Sequence, residues 1–90
     1  MEDAQFYRIA KVLADPRRLA ILESIAKEPQ MPCQTLCSEF PVSKATVSHH
    51  LSELEDAGLI NVARQGKFLH VRLCKETWGA YMEALKNRIG

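Results

Sequence analysis

The sequence predicts a mainly α-helical domain that carries a single β-hairpin. Apolar residues recur at helical spacing in five segments. Between the fourth and the fifth segment, two short stretches of alternating polarity flank a turn at Gly66. The predicted order is therefore α-α-α-α-β-β-α. Two short helices joined by a tight turn and followed by a hairpin are typical of the winged helix-turn-helix.

The first two helices are indicated by apolar periodicity and by a start signal between them. Apolar residues at helical spacing predict a first helix over residues 3–14. Asp15 can cap the free N–H groups of a second helix, and Pro16 suits its first position. Because the residue before a proline avoids helical geometry, the second helix should end before Pro29.

The third and fourth helices are delimited by prolines, a serine and a glycine. A short helix is predicted over residues 33–40, between two prolines. Ser43 can cap the fourth helix, and Gly58 suits the left-handed residue that ends it. The buried stripe of the fourth helix is predicted to contain Val47, Leu51 and Leu54.

The C-terminal third of the chain predicts a hairpin and a last helix. Residues 60–64 and 68–73 alternate well enough to form two strands, with residues 64–67 as the tip between them. Residues 75–89 return to helical spacing.

Length and composition predict one globular domain over residues 1–90. The chain is 47% hydrophobic and 26% charged, as soluble domains usually are, and neither a membrane span nor a secretory segment is predicted. Three cysteines (Cys33, Cys37 and Cys74) form an odd, sparse set, which favours the reducing cytoplasm over a disulfide framework. A net charge of +1 does not by itself indicate a nucleic-acid binder.

The fourth helix carries short hydrogen-bonding side chains that a core helix does not need. In a helix-turn-helix, the N-terminal part of the second helix enters the major groove. Lysine can bind guanine or phosphate there, and serine and threonine can bind bases or phosphate oxygens. The predicted DNA contacts in this helix are Ser43, Lys44, Ala45, Thr46, Ser48, His49 and Ser52.

For this helix taken alone, an ordinary solvated amphipathic surface explains the pattern equally well. His50 lies about 60° from the apolar centre, at 100° per residue. A half-buried histidine bonded within the protein therefore explains it at least as well as a DNA contact.

Cations at two other places could reach phosphates. Arg64, Gln65 and Lys67 surround Gly66 at the hairpin tip and are predicted to contact DNA. Of the two arginines that open the second helix, Arg17 is predicted as an occasional phosphate contact. Arg18 is predicted to pack or pair within the protein.

Three motifs make the chain resemble the ArsR (ArsR/SmtB) family of bacterial repressors over essentially its whole length. Residues 13–22, LADPRRLAIL, resemble the family pattern L-x-D-P-T-R-L-x-I-L with arginine in place of threonine. Residues 48–60, SHHLSELEDAGLI, are similar to S-x-H-L-x-x-L-x-x-A-G-L-[IV]. Residues 64–73 resemble R-x-G-[RK]-x-x-x-Y-x-L, with Val71 where tyrosine is usual.

The resemblance implies a homodimeric repressor that binds double-stranded DNA at an imperfect palindromic operator and is released by an inducer. It also implies that the terminal helices, residues 3–14 and 75–89, form the dimer interface. Their apolar stripes agree, although core packing alone could account for Phe6 and Leu13. The predicted interface residues are Phe6, Ile9, Leu13, Trp78, Tyr81, Met82, Leu85 and Ile89.

The residues that sense metals in this family are not reproduced here. The family's C-x-C cysteine positions fall on Pro32 and Gln34, whereas this chain has Cys33 and Cys37, and residues 75–90 contain no histidine or aspartate. We therefore predict no metal and no cofactor, with cysteines that pack structurally, and the sequence does not identify an inducer. A redox-responsive or metal-responsive repressor that uses Cys33 and Cys37 stays open as an alternative.

The function predicted from these features is sequence-specific regulation of transcription, most simply repression. A winged-helix module that binds another protein is the alternative from a different class. An enzyme is not predicted, because the chain lacks a nucleophile–base arrangement, a phosphate loop and a His-x-Glu metal signature.

Overall fold

In the computed structural model, which describes residues 1 to 90, five helices pack with a three-stranded antiparallel sheet. The helices are α1 (Asp3–Leu13), α2 (Pro16–Ala26), α3 (Cys33–Glu39), α4 (Lys44–Asp56) and α5 (Lys75–Ile89). The strands are β1 (Met31–Pro32), β2 (Ile60–Gln65) and β3 (Phe68–Leu73). The predicted mainly α fold with a hairpin is confirmed, and α1 and α3 each end one residue earlier than predicted. None of the helices combines the length and the apolar character needed to cross a bilayer.

Strand β1 is absent from the sequence prediction. It contains two residues, and it pairs with β3 through Met31 opposite Val71 and Pro32 opposite His70. A two-residue strand shows no alternation along the sequence, so only its partner strand identifies it. The sheet order is β1-β3-β2, which places β3 in the middle.

The local signals that delimit α2 and α4 act as predicted. The Asp15 carboxylate accepts hydrogen bonds from the backbone N–H groups of Arg17 and Arg18 at 2.9 and 3.1 Å. The Ser43 hydroxyl accepts one from the N–H of Thr46 at 3.2 Å. Gly58 follows α4 with a φ of +84°, the left-handed geometry expected of a helix end.

One hydrophobic core joins the helices to the sheet. It contains 16 buried apolar residues contributed by all five helices, by the strands and by the turn between α4 and β2. Val47, Leu51 and Leu54 fix α4 to this core and direct its opposite face outwards. His50 is the one polar residue that is also buried.

The hairpin of β2 and β3, called the wing below, has a tighter tip than predicted. Arg64 pairs with Leu69 and Gln65 with Phe68, so both belong to strand β2, and the turn consists of Gly66 and Lys67. Gly66 adopts a φ of +64°, which suits the two-residue turn of a hairpin.

The two terminal helices are joined by Arg88 near the end of the chain. Its guanidinium forms an ion pair with Asp3 and donates to the Tyr7 hydroxyl at 3.2 Å. It also lies 4.1 Å from the centroid of the Phe6 ring, within the range of a cation–π contact. These contacts hold the C-terminal end of α5 against the start of α1.

Candidate nucleic-acid interface

The N-terminal half of α4 presents an outward face with few partners inside the protein. All seven residues predicted to contact DNA from this helix and its cap are exposed. Ser43 and Thr46 bond to each other, with 3.0 Å between their side-chain oxygens, so the cap occupies both. The side chains that form no hydrogen bond within the chain, and are therefore available to a ligand, are Lys44, Ser48, His49 and Ser52. Ala45 between them leaves room for close approach.

The wing lies beside this face across a shared groove. The groove has a volume of about 280 Å³ and is lined from one side by Lys44 and Ser48 of α4. Lys67, Phe68 and Leu69 of the wing line the other side. The helix and the wing can therefore contact one extended ligand simultaneously.

Two apolar wing residues belong to this surface although the sequence pattern did not single them out. Phe68 is 55% exposed and Leu69 is 40% exposed. Both lie in the segment predicted as a strand, where an alternation pattern cannot show which face is left uncovered. Exposed apolar side chains beside Lys67 can pack on deoxyribose or on base methyl groups, as apolar side chains do in DNA grooves.

The wing residues predicted to contact DNA differ in whether their side chains already form hydrogen bonds within the protein. Arg64 and Lys67 are exposed and have no bonded partner. The Gln65 amide is exposed too, but it pairs with the Gln30 amide at 3.4 Å in both directions. Gln65 therefore links the tip of the wing to the loop before β1. A DNA contact by the Gln65 amide would have to replace these two hydrogen bonds.

The start of α2 separates its two arginines into different environments. Arg17 is exposed with a free side chain. Arg18 is half-buried, and its Nε donates to His50 Nδ1 at 3.2 Å, which agrees with the internal pairing predicted for Arg18. Of the two alternatives left open for His50, this is the histidine bonded within the protein. The backbone N–H groups of Arg18 and Arg17 lower the pKa of Asp15, against a smaller opposing effect of desolvation.

Positive and negative side chains lie at opposite ends of α4. Four of the exposed cations without a bonded partner are those predicted to contact DNA: Lys44, Arg17, Arg64 and Lys67. Lys44 at the start of α4 and Lys67 of the wing line the same groove. The carboxylates lie in the second half of the helix, where Glu53 and Asp56 are each 3.6 Å from the Arg8 guanidinium of α1. A chain with a net charge of +1 thus presents a locally basic surface at the start of α4.

The predicted dimer-interface residues divide into buried and exposed groups. Ile9 is fully buried, and Phe6 and Tyr81 are nearly so, within a single subunit. Leu13 and Trp78 are half-buried against the core. The remaining residues are uncovered: Met82 is 53%, Leu85 is 38% and Ile89 is 80% exposed, and Tyr7, absent from the prediction, is 54% exposed.

The cysteines occupy two environments. Cys33 and Cys37 line a small cavity of about 220 Å³ between α3, α4 and the wing, beside Leu51 and Leu69. Burial, and next the neighbouring Cys37, raise the pKa of the Cys33 thiol. Cys74 precedes α5, and its thiol shares a 3.2 Å hydrogen bond with the Thr77 hydroxyl, which lowers the pKa of the Cys74 thiol.

No constellation of three or more His, Cys, Asp or Glu side chains is close enough together to hold a metal ion. Thiols with a raised pKa form less thiolate at neutral pH, and thiolate is the form that reacts and binds metals. Cys33 is thus a partly buried thiol that packs against the core, in surroundings that disfavour the thiolate.

Comparison with known proteins places the chain among transcriptional regulators. Residues 13–63 match the family described as a helix-turn-helix domain. Over 65 residues the chain is 34% identical to the transcriptional repressor SdpR of Bacillus subtilis (strain 168), covering 72% of this chain and 71% of that protein. It is 33% identical over 66 residues to the arsenical resistance operon repressor of Escherichia coli (strain K12), covering 73% of this chain. The matched segment spans only 56% of the latter protein's length.

Solved structures show the same fold. The ArsR family transcriptional regulator RHA00566 superposes with a TM-score of 0.84 at 26% identity, covering 98% of this chain and 90% of that one. The winged helix-turn-helix domain of Mb0332 from Mycobacterium bovis, described as homodimeric and DNA-binding, has a TM-score of 0.77 at 24% identity. That match covers 99% of this chain and 86% of the other.

Proposed function

Because the chain belongs to the ArsR family of winged helix-turn-helix transcriptional regulators, we propose that it represses transcription as a homodimer bound to an imperfect palindromic operator. One observation carries the proposal: exposed polar residues of α4 without internal partners lie across a groove from a basic wing. A helix in the major groove and a wing on the flanking backbone would use both sides of that groove.

In this proposal α4 is the recognition helix. Lys44 reaches guanine O6 and N7 or a phosphate, and Ala45 approaches a thymine methyl group. Ser48, His49 and Ser52 supply further hydrogen bonds to bases and phosphates. Arg17, Arg64 and Lys67 bind phosphates on either side of the groove.

The dimer is proposed to form through the exposed apolar residues of α5, with Tyr7 of α1 beside them. Met82, Leu85 and Ile89 leave an apolar strip uncovered on a chain of 90 residues, which can bury only about two thirds of its unfolded surface. The homodimeric state described for Mb0332 supports this arrangement. Two copies related by a twofold axis would bring their recognition helices to half-sites one helical turn, about 34–36 Å, apart.

No reaction is assigned to the protein, and it would act in the cytoplasm, where bacterial DNA lies. Cys33 and Cys37 are proposed to have a structural role, because both pack against the hydrophobic core. Regulation through metals is not part of the proposal.

Salt dependence of binding to the DNA upstream of its own gene tests the proposal. If the dimer neutralises several phosphates, its affinity should fall by about 10³–10⁵-fold between 50 and 200 mM salt. Arg64→Ala or Lys67→Ala should each reduce the salt slope by about one unit for every phosphate that is no longer neutralised. A matched control, Lys27→Ala at the far end of α2, should leave the slope unchanged. Absent or salt-independent binding would favour the protein-interaction module instead.

A further inference from the structure

The buried imidazole of His50 forms a link that the proposed DNA contacts do not explain. His50 is 8% exposed and lies on α4 directly beside His49. Its Nδ1 accepts the 3.2 Å hydrogen bond from Arg18 Nε. This is the only side-chain hydrogen bond that joins α2 to α4.

Arg18 is held at both ends. Its backbone N–H donates to the Asp15 carboxylate at 3.1 Å, as part of the cap that begins α2. Its guanidinium then reaches across to α4. Two hydrogen bonds, one between Asp15 and Arg18 and one between Arg18 and His50, therefore connect the fixed start of α2 to the middle of the recognition helix.

The other contacts of α4 leave its rotation less well defined. Val47, Leu51 and Leu54 are apolar, and hydrophobic packing is largely non-directional. A hydrogen bond has angular requirements, because its donor and acceptor must align. The Arg18–His50 bond can thus select one rotation of α4 about its own axis, and with it the direction of His49 and Lys44.

The bond requires a neutral imidazole. Arginine is a donor only and does not lose its proton, so Nδ1 must carry the lone pair and the ring proton must be on Nε2. The charged and titratable groups that face His50 are Arg18, Arg17 and Asp15 from the start of α2 and His49 from α4. Burial, followed by the Arg18 charge, lowers the pKa of His50, and Asp15 opposes them.

We propose that Arg18 and His50 are positioning residues that hold the recognition helix at the rotation required for the operator, and that protonation of His50 releases it. This inference rests on the proposed function, since it needs an operator complex to position. In a protonated imidazole, Nδ1 carries a proton and can no longer accept a hydrogen bond. The positively charged ring would also repel the guanidinium of Arg18. The bond would then be broken, although the apolar core would still hold α4 in the fold.

The test measures operator affinity by fluorescence anisotropy from pH 8 to pH 5.5, using the full chain and DNA upstream of its own gene. Because the pKa of His50 lies below the ordinary histidine value of about 6.5, wild-type affinity should stay constant from pH 8 down to that value and decrease only at lower pH. His50→Leu, which lacks the acceptor, should bind about tenfold more weakly at pH 8 and show no acid-side decrease of this origin. In His50→Asn the amide oxygen can take the place of Nδ1, so this variant should recover most of the affinity that His50→Leu removes. Because asparagine does not titrate, its affinity should not decrease at acid pH through this bond.

Two controls separate positioning from direct contact. His49→Asn should weaken binding and still lose affinity at acid pH, because this substitution leaves the Arg18–His50 hydrogen bond in place. Arg18→Met should weaken binding about as much as His50→Leu, and the double variant should be no weaker than either, as expected of two residues in one interaction. Additive losses would mean that Arg18 contacts DNA by itself and would overturn the inference.

The outcomes also separate this inference from the proposed function. If the wild-type protein fails to bind DNA at any pH, the proposed function is wrong. If it binds, while His50→Leu binds as tightly and keeps the acid-side decrease, the positioning role is wrong. Should His50→Leu not fold, the pH profile of His50→Asn and the affinity of Arg18→Met decide the question.

Discussion

The Gln5 side chain of α1 lies directly over Gly58, the left-handed residue that follows α4. Its amide nitrogen donates to the Ala57 carbonyl at 3.2 Å. A Cβ placed on Gly58 would lie 2.8 Å from that nitrogen, closer than real contacts allow. Both the left-handed turn after α4 and the hydrogen bond from α1 are therefore favoured by the absence of a side chain at Gly58.

We expect Gly58→Ala to destabilise the protein. The left-handed backbone costs a residue with a Cβ about 1–2 kcal/mol, and the end of the Gln5 side chain must also shift to admit the Cβ. The free energy of unfolding, measured in urea at a fixed protein concentration, should fall by at least that amount.

Gly79→Ala provides the control for Gly58→Ala. Gly79 is exposed in α5, and a Cβ there would contact nothing within 4 Å. Alanine should therefore stabilise the helix by about 0.5–1 kcal/mol. Equal effects of the two substitutions would contradict the role assigned to Gly58.

Alanine substitutions at the start of α4 should weaken operator binding without changing the fold. Lys44 and His49 are exposed and have no internal hydrogen bonds, so their removal leaves no buried group unsatisfied. Where either contacts a base, Lys44→Ala or His49→Ala should cost about 1–3 kcal/mol of binding free energy. Circular dichroism and the mass in solution should be unchanged. Wild-type affinity in both variants would show that another face of α4 meets the DNA.

Charges introduced on the exposed strip of α5 should dissociate the proposed dimer. Met82→Glu combined with Leu85→Glu places two carboxylates where the apolar strip would meet its copy, and burying unpaired charges is costly. Sedimentation equilibrium should then report the subunit mass of 10.2 kDa. Operator affinity should fall as well, because two linked half-sites are bound more tightly than one.

Phe68→Glu is the matched control for that experiment. Phe68 is as exposed as Met82, but it lies on the wing. The substitution should impair DNA binding and leave the dimer intact. A dimer that survives the α5 substitutions and dissociates with Phe68→Glu would assign the interface to the wing.

The thiols should react in an order that the sequence does not suggest. The hydrogen bond from Thr77 lowers the pKa of Cys74, and burial raises the pKa of Cys33. Since the thiolate is the nucleophile, Cys74 should be alkylated by iodoacetamide faster than Cys33 near pH 7. Peptide mass spectrometry after timed labelling measures both rates, and Thr77→Val should slow the reaction at Cys74. Faster labelling of Cys33 would contradict these environments.

Local features of the fold follow from the sequence because their signals are local. Asp15 and Ser43 cap helices through N–H groups two or three residues away, and Gly58 ends α4 through its own backbone. The stripe that contains Val47 and Leu54 is likewise set by helical periodicity. Such interactions require no knowledge of what lies across the fold.

Some apolar stripes predicted from the sequence are buried within the subunit and others are exposed, and the sequence does not distinguish the two. Ile9 and Ile89 belong to similar patterns, yet the first is fully buried and the second is 80% exposed. Periodicity shows that a helix has an apolar face and does not show whether the same subunit covers it. For the same reason the pattern of β3 did not reveal that Phe68 is uncovered.

The sequence by itself determined the order of the elements, their caps and the polar face of α4, since each depends on neighbours within a turn or two. The tertiary structure alone decided which distant residues meet. Strand β1 exists only through Val71 and His70, and Arg18 meets His50 across 32 positions of the chain. Such contacts depend on how elements pack in space, and packing brings together residues whose separation along the chain carries no periodic signal.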